Sequence, residues 1–201
     1  MFRIPSHIGI IPDGNRRWAK AKGLKKEEGY AFGLEPGMTL LRAAKKYGVR
    51  ELTYYGFTVD NCKRPSAQVK EFSRACVEAV KRMEEEKVRP YVVGNTESSC
   101  FPKELLPYTE RREEDAGDLR VNLLVNYGWE WDMKNDWVSK NIPRVDMVIR
   151  WGGMCRLSGF LPIQTVYADF CILDDLWPDF QEEQFAYALS WYQEQDVTLG
   201  G

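Results

Sequence analysis

The chain has 201 residues, of which 44% are hydrophobic, and a formal net charge of −2 at pH 7. This length and composition suit one domain over residues 1–201 with a full-sized hydrophobic core. The nearly neutral charge offers no overall attraction to nucleic acid, so we expect no nucleic-acid partner. No apolar stretch approaches the ~20 residues that a membrane-spanning helix needs.

The cysteine and histidine content argues against a zinc centre. The five cysteines are scattered, no C-x-x-C pair occurs, and the chain has one histidine, His7. Such a set does not provide the usual spacing of zinc ligands. An odd number of cysteines without a recognisable signal peptide favours reduced thiols, and we therefore expect a cytoplasmic protein.

The first half of the chain alternates predicted strands and helices. An apolar run predicts a buried strand over His7–Ile11, and the Arg-Arg pair after it opens a helix-like segment. Apolar spacing predicts a helix over Tyr30–Tyr47 with Gly48 as its cap, and a strand over Glu51–Phe57. An amphipathic helix is predicted over Pro65–Lys87.

The second half continues this alternation. Strands are predicted over Val88–Val93, Leu119–Tyr127, Val145–Arg150 and Ala168–Leu173. Helices are predicted over Phe101–Asp118, Phe160–Tyr167 and Gln181–Gln193, and Gly128–Arg144 has room for at most one short helix. The pattern predicts a single α/β domain with a mainly parallel central sheet, flanked by helices on both faces.

Polar and cationic residues follow the predicted strands. The carboxyl ends of parallel strands meet at one edge of a sheet, and ligands bind there. The residues at these ends are Asp13, Gly14, Asn15, Arg16 and Arg17, then Thr58, Asp60, Asn61, Lys63 and Arg64, then Asn126, and finally Arg150, Arg156 and Ser158. Arginines from three strand ends predict a site for more than one phosphate group.

Asp13 is the carboxylate in the first of these loops. A carboxylate beside a bound anion is repulsive unless a divalent cation bridges the two. The arginines after it would oppose the dipole of a helix that begins there, and a bound anion would explain them. The simpler alternative is that Asp-Gly is only a turn signal.

Other catalytic classes find little support. We expect His7, at the start of its strand and far from the ligand edge, to be structural. No serine or cysteine has a recognisable general base, and no G-x-x-x-x-G-K-[ST] motif occurs. The remaining chemistry is phosphate positioning with a hard cation, which suits a reaction in which a diphosphate leaves.

Along nearly its whole length, the chain resembles the cis-prenyltransferases of the undecaprenyl diphosphate synthase type. The motifs that carry the resemblance are His7–Trp18 (H-I-G-I-I-P-D-G-N-R-R-W), Leu52–Pro65 (L-T-Y-Y-G-F-T-V-D-N-C-K-R-P), Asn122–Gly128, Asp146–Ser158 (D-M-V-I-R-W-G-G-M-C-R-L-S) and Leu176–Phe180 (L-W-P-D-F). The resemblance implies a Mg²⁺-dependent transfer of an allylic prenyl group to an acceptor, usually isopentenyl diphosphate, with a new cis double bond.

The resemblance also implies residue roles. Asp13 would coordinate Mg²⁺, and Asp169 falls where the family places a second metal contact on the partner side. The allylic diphosphate would be held by Gly14, Asn15, Arg16 and Arg17, with help from Lys26 and Arg64, and Tyr30 stands at a position of the same site. Arg150, Arg156 and Ser158 would hold the acceptor's diphosphate. Thr58, Asp60 and Asn61 would lie beside the reacting carbons.

Further implications concern the rest of the chain. The helix Pro65–Lys87 would wall a hydrophobic tunnel between sheet and helices, although its stripe of Val69, Phe72, Cys76 and Met83 is equally consistent with plain core. The segment Gln164–Asp169 would belong to a homodimer surface. Because the product would be a lipid, we also expect transient contact of the protein with a membrane and a peripheral location.

The chain departs from the family pattern mostly around the acceptor. The departures are Lys26 for Arg, Tyr30 for His, Asp60 for Glu, Cys62 for Trp, Trp151 for Thr or Ser, Met154-Cys155 for a polar pair, and Asp169 for Glu. Gly128–Arg144 is much shorter than usual, and Val197–Gly201 lacks the arginine that commonly precedes its glycines. The hypothesis is standard donor chemistry with a relaxed or altered acceptor, either dimethylallyl diphosphate in a non-head-to-tail condensation or an alcohol.

The alternative function is that of a non-catalytic partner subunit in a heteromeric cis-prenyltransferase. Such partners usually lose the D-G-N loop, which this chain keeps at Asp13–Asn15. The missing C-terminal arginine favours the alternative. The intact loop favours catalysis.

Overall fold

A computed structural model describes residues 3–112 and 117–196. The strands are β1 His7–Ile11, β2 Glu51–Thr58, β3 Tyr91–Val93, β4 Arg120–Tyr127, β5 Met147–Arg150 and β6 Asp169–Ile172. The helices are α1 Asn15–Ala21, α2 Gly29–Phe32, α3 Leu34–Tyr47, α4 Ser66–Glu85, α5 Trp129–Lys134 and α6 Glu182–Gln193. Short 3₁₀ helices lie at Val59–Lys63, Lys103–Tyr108, Val138–Asn141 and Trp177–Asp179.

The six strands form one sheet in the order β3-β4-β2-β1-β5-β6, and every neighbouring pair is parallel. In β1, Ile11 pairs with Arg150 of β5, while Thr58 at the end of β2 pairs with Tyr127. The strand order reverses at β1, since β2 lies on one side of it and β5 on the other. The carboxyl end of β1 is therefore the position where a doubly wound sheet opens a ligand crevice.

The two faces of the sheet are covered differently. One face packs against α3, α4 and α6, with buried side chains such as Leu41, Val80 and Phe185 in its core. The other face carries shorter segments, and its core includes Tyr127, Val148 and Phe160. The prediction of a single α/β domain with a parallel sheet flanked by helices is confirmed.

Several predicted helices are wrong or shortened. The structure forms only a 3₁₀ helix within the described part of 101–118, because Pro102 and Pro107 lack the N–H that a regular helix needs. Residues 160–167 form turns, where Leu161 has a φ of 33° and Pro162 follows it. The helix predicted over Tyr30–Tyr47 is divided by Gly33 into α2 and α3.

The short connection between β4 and β5 holds one short α-helix, α5, as its length predicts, and in addition a 3₁₀ helix over Val138–Asn141. Within the described residues, no helix is long and apolar enough to cross a membrane. The C-terminal segment 197–201, where the family's arginine is missing, lies outside the described residues.

Candidate functional site

A cavity of about 690 Å³ opens at the carboxyl ends of β1, β2 and β5 and continues between the sheet and α4. Fourteen of the residues predicted for the site line it, namely Asp13, Gly14, Asn15, Arg16, Arg17, Lys26, Tyr30, Thr58, Asp60, Asn61, Arg64, Arg150, Arg156 and Ser158. Four separate stretches of chain, 13–17, 26–30, 58–64 and 150–158, thus converge on one space. This confirms the expectation that the carboxyl ends of the parallel strands bring these side chains together.

The loop after β1 has a fixed shape. Gly14 adopts a φ of 117°, and a Cβ atom there would lie 2.9 Å from the side chain of Leu176. Only glycine meets both requirements without strain. The backbone carbonyl of Asp13 accepts a hydrogen bond from the N–H of Trp177 at 3.0 Å. The Leu176–Phe180 motif therefore acts as a wall that holds this loop against the sheet.

Asp13 and Arg150 form the central ion pair of the site. Arg150 Nη2 donates to Asp13 Oδ2 at 2.8 Å, and the Arg150 side chain is only 4% exposed, against 35% for Asp13. The second carboxylate oxygen, Oδ1, lies 3.6 Å from Arg17 Nη2. Oδ1 is thus outside hydrogen-bonding distance of that guanidinium, on a residue that lines the cavity.

Arg150 also organises the loop after β5. Its Nη1 donates to the carbonyl of Arg156 at 2.5 Å and to Ser158 Oγ at 2.9 Å. The Tyr55 hydroxyl donates to the carbonyl of Ser158 at 2.9 Å, which holds the same loop from the β2 side. The buried Arg150 Nε has no partner in the structure. The guanidinium is therefore fixed in place with one donor still unused.

Cations outnumber carboxylates around the cavity. Seven cationic side chains line it, and the carboxylates are Asp13 and Asp60. Among the residues that the structure describes, several of these cations form no ion pair: Arg16, Lys20, Lys26, Arg64 and Arg156. An excess of unpaired cations in a partly enclosed space attracts a multiply charged anion.

Arg64 and Tyr30 connect the charged end of the cavity to its apolar end. Arg64 Nη1 donates to the Tyr30 hydroxyl at 3.1 Å, and the Tyr30 ring meets the Phe72 ring edge-on at 4.4 Å. Burial lowers the pKa of Arg64 from its ordinary value, and the positive charge of Arg16 acts in the same direction. Burial raises the pKa of Tyr30, so its hydroxyl keeps its proton.

The turn after β2 presents three of the predicted catalytic residues. Thr58 Oγ1 accepts a hydrogen bond from the N–H of Asn61 at 3.2 Å, which fixes the start of the 3₁₀ turn. Asn61 is buried, while Asp60 is exposed and pairs with Lys63 at 2.7 Å. Asp60 therefore lies at the mouth of the cavity and Asn61 inside it.

The deeper part of the cavity is apolar. It is lined by Met38, Tyr54, Phe72, Ala75, Cys76, Ala79, Met83 and Leu123. The α4 stripe serves both of the roles considered from the sequence, because Phe72, Cys76 and Met83 line the cavity and also pack against the main core. Val69 packs against the core alone.

Some departures from the family pattern lie away from the cavity. Trp151 is fully buried between Trp177 and Phe180, and its Nε1 donates to Gln184 Oε1 at 3.0 Å. The expectation that Trp151 contacts the acceptor is therefore wrong. Alternation along β5 explains this, since Met147, Ile149 and Trp151 all belong to the core on one face. Met154, by contrast, lines the cavity.

Asp169 is not brought to Asp13 within the chain. It begins β6 and pairs with Met147 at the amino end of β5, whereas Asp13 follows the carboxyl end of β1. The two carboxylates therefore lie at opposite edges of one sheet. No group of three or more potential metal-binding side chains occurs in the described ranges 3–112 and 117–196.

Sequence reasoning missed Lys20, which lines the cavity one helical turn after Arg16. The spacing of four residues places both on one face of α1, and this signal was available. It also missed Tyr55, whose role depends on a hydrogen bond across the sheet. Nothing in the sequence pattern distinguishes that tyrosine from its neighbour Tyr54.

The residues present fit a magnesium ion. Mg²⁺ in enzymes of phosphorylated substrates is held by one or two carboxylates, several waters and the substrate's phosphates. Asp13 supplies a half-exposed carboxylate whose Oδ1 has no hydrogen bond, and unpaired cations for a diphosphate lie around it. Asp13 and a bound diphosphate would together hold a magnesium ion.

The chain matches the model of the family described as "Putative undecaprenyl diphosphate synthase" over residues 11–137 and 134–200. The chain belongs to this family. The two matched segments of this chain overlap at residues 134–137, in the short connection between β4 and β5.

Two curated relatives cover nearly the whole chain. The ditrans,polycis-undecaprenyl-diphosphate synthase ((2E,6E)-farnesyl-diphosphate specific) of Aliivibrio fischeri is 30% identical, over 98% of this chain and 89% of its own. The isoprenyl transferase of Clostridium perfringens is 32% identical, over 99% of this chain and 91% of its own. The relatives are named as enzymes, and the chain is accordingly an enzyme that transfers prenyl groups. This favours catalysis over the alternative of a non-catalytic partner subunit.

The fold is shared with a plant enzyme. The crystal structure of lavandulyl diphosphate synthase from Lavandula x intermedia, in complex with dimethylallyl diphosphate, matches with a TM-score of 0.83 and 22% identity. The match covers 98% of this chain and 99% of that one. At 22% identity, this match shows that the two chains share a fold and nothing more.

Proposed function

We propose that this enzyme catalyses the Mg²⁺-dependent transfer of an allylic prenyl group from its diphosphate to an acceptor, normally isopentenyl diphosphate, with formation of a cis double bond. The observation that carries the proposal is the division of one cavity into a cationic mouth around Asp13 and an apolar interior along α4. A prenyl diphosphate has the same division between a charged head and an apolar chain.

The donor diphosphate binds in the loop after β1. Gly14 allows close approach of the backbone, and the side chains of Asn15, Arg16 and Arg17 surround the phosphates. Lys26 and Arg64, which line the same cavity, add positive charge, and the Tyr30 hydroxyl accepts a hydrogen bond from Arg64. These donors stabilise the negative charge that develops on the diphosphate as the carbon–oxygen bond breaks.

Asp13 would hold the magnesium ion, which would supply Lewis-acid stabilisation of the leaving diphosphate. Arg150 keeps Asp13 in position through Oδ2 and leaves Oδ1 available. Because Arg150 is buried and bound on two sides, the carboxylate keeps this orientation without the substrate.

The acceptor diphosphate binds at the loop after β5. Arg156 is exposed and unpaired among the described residues, and Ser158 and the free Nε of Arg150 lie beside it. Thr58, Asp60 and Asn61 then border the space between donor and acceptor, where the new carbon–carbon bond forms. The acceptor loses a proton after attack, and the departing diphosphate is the basic group beside it.

The growing chain occupies the apolar interior, which would serve as the hydrophobic tunnel that the resemblance implies. Its walls are hydrocarbon, aromatic and thioether side chains, which favour a prenyl chain over water.

We further propose that acceptor use is relaxed or altered, so that dimethylallyl diphosphate or an alcohol captures the allylic group. The support is that two of the unusual residues, Asp60 and Met154, line the cavity at its acceptor side. The Asp60 carboxylate also forms an ion pair with Lys63 at 2.7 Å, which weakens the negative field that an acceptor would meet there.

We also propose that the enzyme works as a homodimer in which Asp169 contributes a metal contact from the partner side. The support is an exposed apolar surface beside β6, where Val166 is 66% exposed and Tyr167 is 52% exposed. A heteromer would use the same surface. Release of the lipid product would bring the cavity mouth into transient contact with a membrane.

Product analysis tests the proposal. Purified protein is incubated with Mg²⁺ and labelled isopentenyl or dimethylallyl diphosphate, alone and together, and the products are identified by mass spectrometry and NMR. We expect prenyl transfer that depends on Mg²⁺. A single long cis-polyprenyl product would overturn the altered acceptor, and absence of any prenyl transfer would overturn the whole assignment.

A further inference from the structure

Arg17, in the first turn of α1, contacts the loop after β5 as well as its own loop. Its Nη2 donates a hydrogen bond to the carbonyl of Gly152 at 2.9 Å and lies 3.6 Å from Asp13 Oδ1. Within the described residues, the Nε and Nη1 atoms of Arg17 form no hydrogen bond. Arg17 lines the cavity, whereas Gly152 does not. One guanidinium thus joins two loops and still has unused donors for a ligand.

The conformation of Gly152 makes room for this contact. Gly152 has a φ of 86°, in a region that other residues rarely adopt. A Cβ atom there would overlap with Arg17 Nη2 and would lie 3.4 Å from the backbone carbonyl carbon of Asp13. Glycine is therefore required twice at this position, by its own backbone and by the guanidinium that packs against it.

The backbone around Gly152 is well anchored. The Gly152 N–H donates to the carbonyl of Asp175 at 2.8 Å, and the N–H of Trp151 donates to the carbonyl of Ile11 at 3.2 Å. Gly152 itself is buried, and the Trp151 side chain is fully buried. The Arg17 side chain, by contrast, is 45% exposed. The carbonyl is thus the fixed part of the contact, and the guanidinium is the movable part.

We propose that Gly152 is a positioning residue that couples the two diphosphate subsites, an inference that rests on the function proposed above. Its carbonyl holds the Arg17 guanidinium between the loop after β1, which binds the donor, and the loop after β5, which binds the acceptor. Donor binding then raises the affinity for the acceptor, and by linkage the acceptor raises the affinity for the donor by the same factor.

The coupling arises because both ligands require the same side chain in one place. Fixing a long, half-exposed arginine costs conformational entropy. A donor diphosphate fixes the Arg17 guanidinium through charge-assisted hydrogen bonds to its unused nitrogens. An acceptor that restrains the loop after β5 restrains the Gly152 carbonyl, and through it the same guanidinium. The first ligand to bind meets the entropic cost, and the second does not.

Gly152→Ala tests the coupling without removing a charge. The new methyl group displaces the guanidinium, because the mobile end of Arg17 is the atom nearest to it. Gly153→Ala is the matched control. Gly153 has a similar φ of 70°, but a Cβ atom there would lie 3.0 Å from Oδ1 of Asp174, an exposed side chain that can move away. Both variants therefore carry similar backbone strain, and only Gly152→Ala disturbs Arg17.

Titration calorimetry measures the coupling directly. In the presence of Mg²⁺, isopentenyl diphosphate is titrated into the protein with and without a saturating geranyl diphosphate analogue whose bridging oxygen is replaced by sulfur. We expect the analogue to lower the Kd for isopentenyl diphosphate about tenfold in the parent and in Gly153→Ala, within the usual range of coupling between sites. In Gly152→Ala the same analogue should lower it less than about twofold. The reverse titration should give the same factors.

Arg17→Ala completes a double-mutant cycle. In the Arg17→Ala background, Gly152→Ala should change the coupling factor no further, because the two residues act through one contact. Arg17→Lys is a second variant in case Gly152→Ala is poorly folded. It keeps the positive charge but replaces the planar fork with a single ammonium group, so it should also lose the coupling.

The outcomes separate this inference from the proposed function. Independent binding of the two ligands to the parent would overturn the coupling and leave the proposed function standing. So would parent-like coupling in Gly152→Ala, or an equal loss of coupling in Gly153→Ala. Failure of the parent to bind the donor analogue or isopentenyl diphosphate at all would overturn the corresponding subsite of the proposed function, and this inference with it.

Discussion

Polar residues at the two edges of the sheet differ in how completely they are hydrogen-bonded and ion-paired. At the carboxyl edge, five of the seven cationic side chains that line the cavity lack ion-pair partners among the described residues, and the buried Arg150 Nε and Asn15 Oδ1 have no hydrogen bond. At the amino edge, the polar residues of β1, β2 and β4 satisfy one another. The same parallel sheet thus carries an open polar site at one edge and a closed polar network at the other.

The closed network centres on Glu51. Arg111 donates to both of its carboxylate oxygens, at 2.9 and 3.2 Å, and Asn122 Nδ2 donates at 2.7 Å. Asn122 also donates to Thr53 Oγ1 at 2.9 Å, and the Thr53 hydroxyl bonds His7 Nε2 at 2.7 Å. The other ring nitrogen, His7 Nδ1, faces the carbonyls of residues 143 and 144 and therefore carries the proton. This confirms the prediction that His7 is structural.

Stability and function therefore reside at different edges of this sheet. Satisfied buried groups stabilise one conformation, whereas preorganised groups without partners are ready for a ligand. Substitutions at the amino edge should therefore change the free energy of unfolding, and substitutions at the carboxyl edge should change catalysis.

The largest effect is expected from Glu51→Ala. It leaves the donors of Arg111, whose side chain is 14% exposed, and of the buried Asn122 without their acceptor, and breaking a largely buried pair from one side costs about 3–5 kcal/mol. For a chain of this size, the midpoint of thermal unfolding should fall by roughly 10 °C. The exposed pair of Asp136 and Lys140 is the matched control, since Asp136→Ala should cost less than about 1 kcal/mol. Equal shifts in the two variants would contradict the account of the amino edge.

Asp13→Asn should give the next largest effect, on the rate rather than on stability. Asparagine can still accept the hydrogen bond from Arg150, but it is a poor ligand for magnesium. We expect kcat to fall about 10²–10³-fold, as for the loss of one electrostatic contact in a transition state, with a thermal midpoint close to that of the parent. Steady-state kinetics and calorimetry measure both quantities. A large loss of stability with normal kcat would reverse the roles of the two edges.

Arg16→Ala should weaken donor binding to a smaller extent. A hydrogen bond to a charged group is worth about 1.5–3 kcal/mol, so the Kd for an allylic diphosphate should rise roughly tenfold to hundredfold. Lys22→Ala is the control, because Lys22 is exposed and lies over the Trp18 ring outside the cavity. Titration calorimetry compares the variants at low and high salt. If both lose equal affinity, the attraction comes from the charge of α1 as a whole.

The smallest effect concerns the pH dependence of stability. Burial lowers the pKa of His7 below its ordinary 6.5, so stability should decrease as the pH falls below that value. Burial alone would raise the pKa of Glu51, but hydrogen bonds from Arg111 and Asn122 bring it below its ordinary 4.5. A second decrease should therefore begin below about pH 4.5, at most about 1.4 kcal/mol per pH unit for each proton. Denaturant unfolding between pH 3.5 and 7.5 should show this second decrease in the parent and not in Glu51→Gln. The same decrease in both would show that another group is responsible.

The sequence predicts the charged half of the site well, because one rule connects it to the fold. The strand ends were recognisable from apolar runs, and parallel strands bring their carboxyl ends together. Asp13, Arg64 and Arg150 could therefore be assigned to one place without knowledge of distances. The position of Asp169 at the opposite edge follows from the same rule, since it lies at the start of its strand.

Other features could not be predicted so directly. The α4 stripe gives the same spacing whether its side chains fill a core or border a cavity, and here Phe72 and Met83 do both. The hydrogen bond of Cys62 to Asn126 depends on the shape of a 3₁₀ turn, which has no periodic signal. The error at Trp151 was avoidable, because alternation along β5 places it on the core face.

The most direct test of the account is the stoichiometry of prenyl transfer by the isolated chain. Labelled allylic diphosphates of increasing length are incubated with isopentenyl diphosphate and Mg²⁺, and released pyrophosphate is counted against new carbon–carbon bonds, for the parent and for Asp13→Asn. We expect one pyrophosphate for each new bond in the parent and almost none of either in the variant. Turnover that persists in Asp13→Asn would contradict the role assigned to this carboxylate at the carboxyl edge of the sheet.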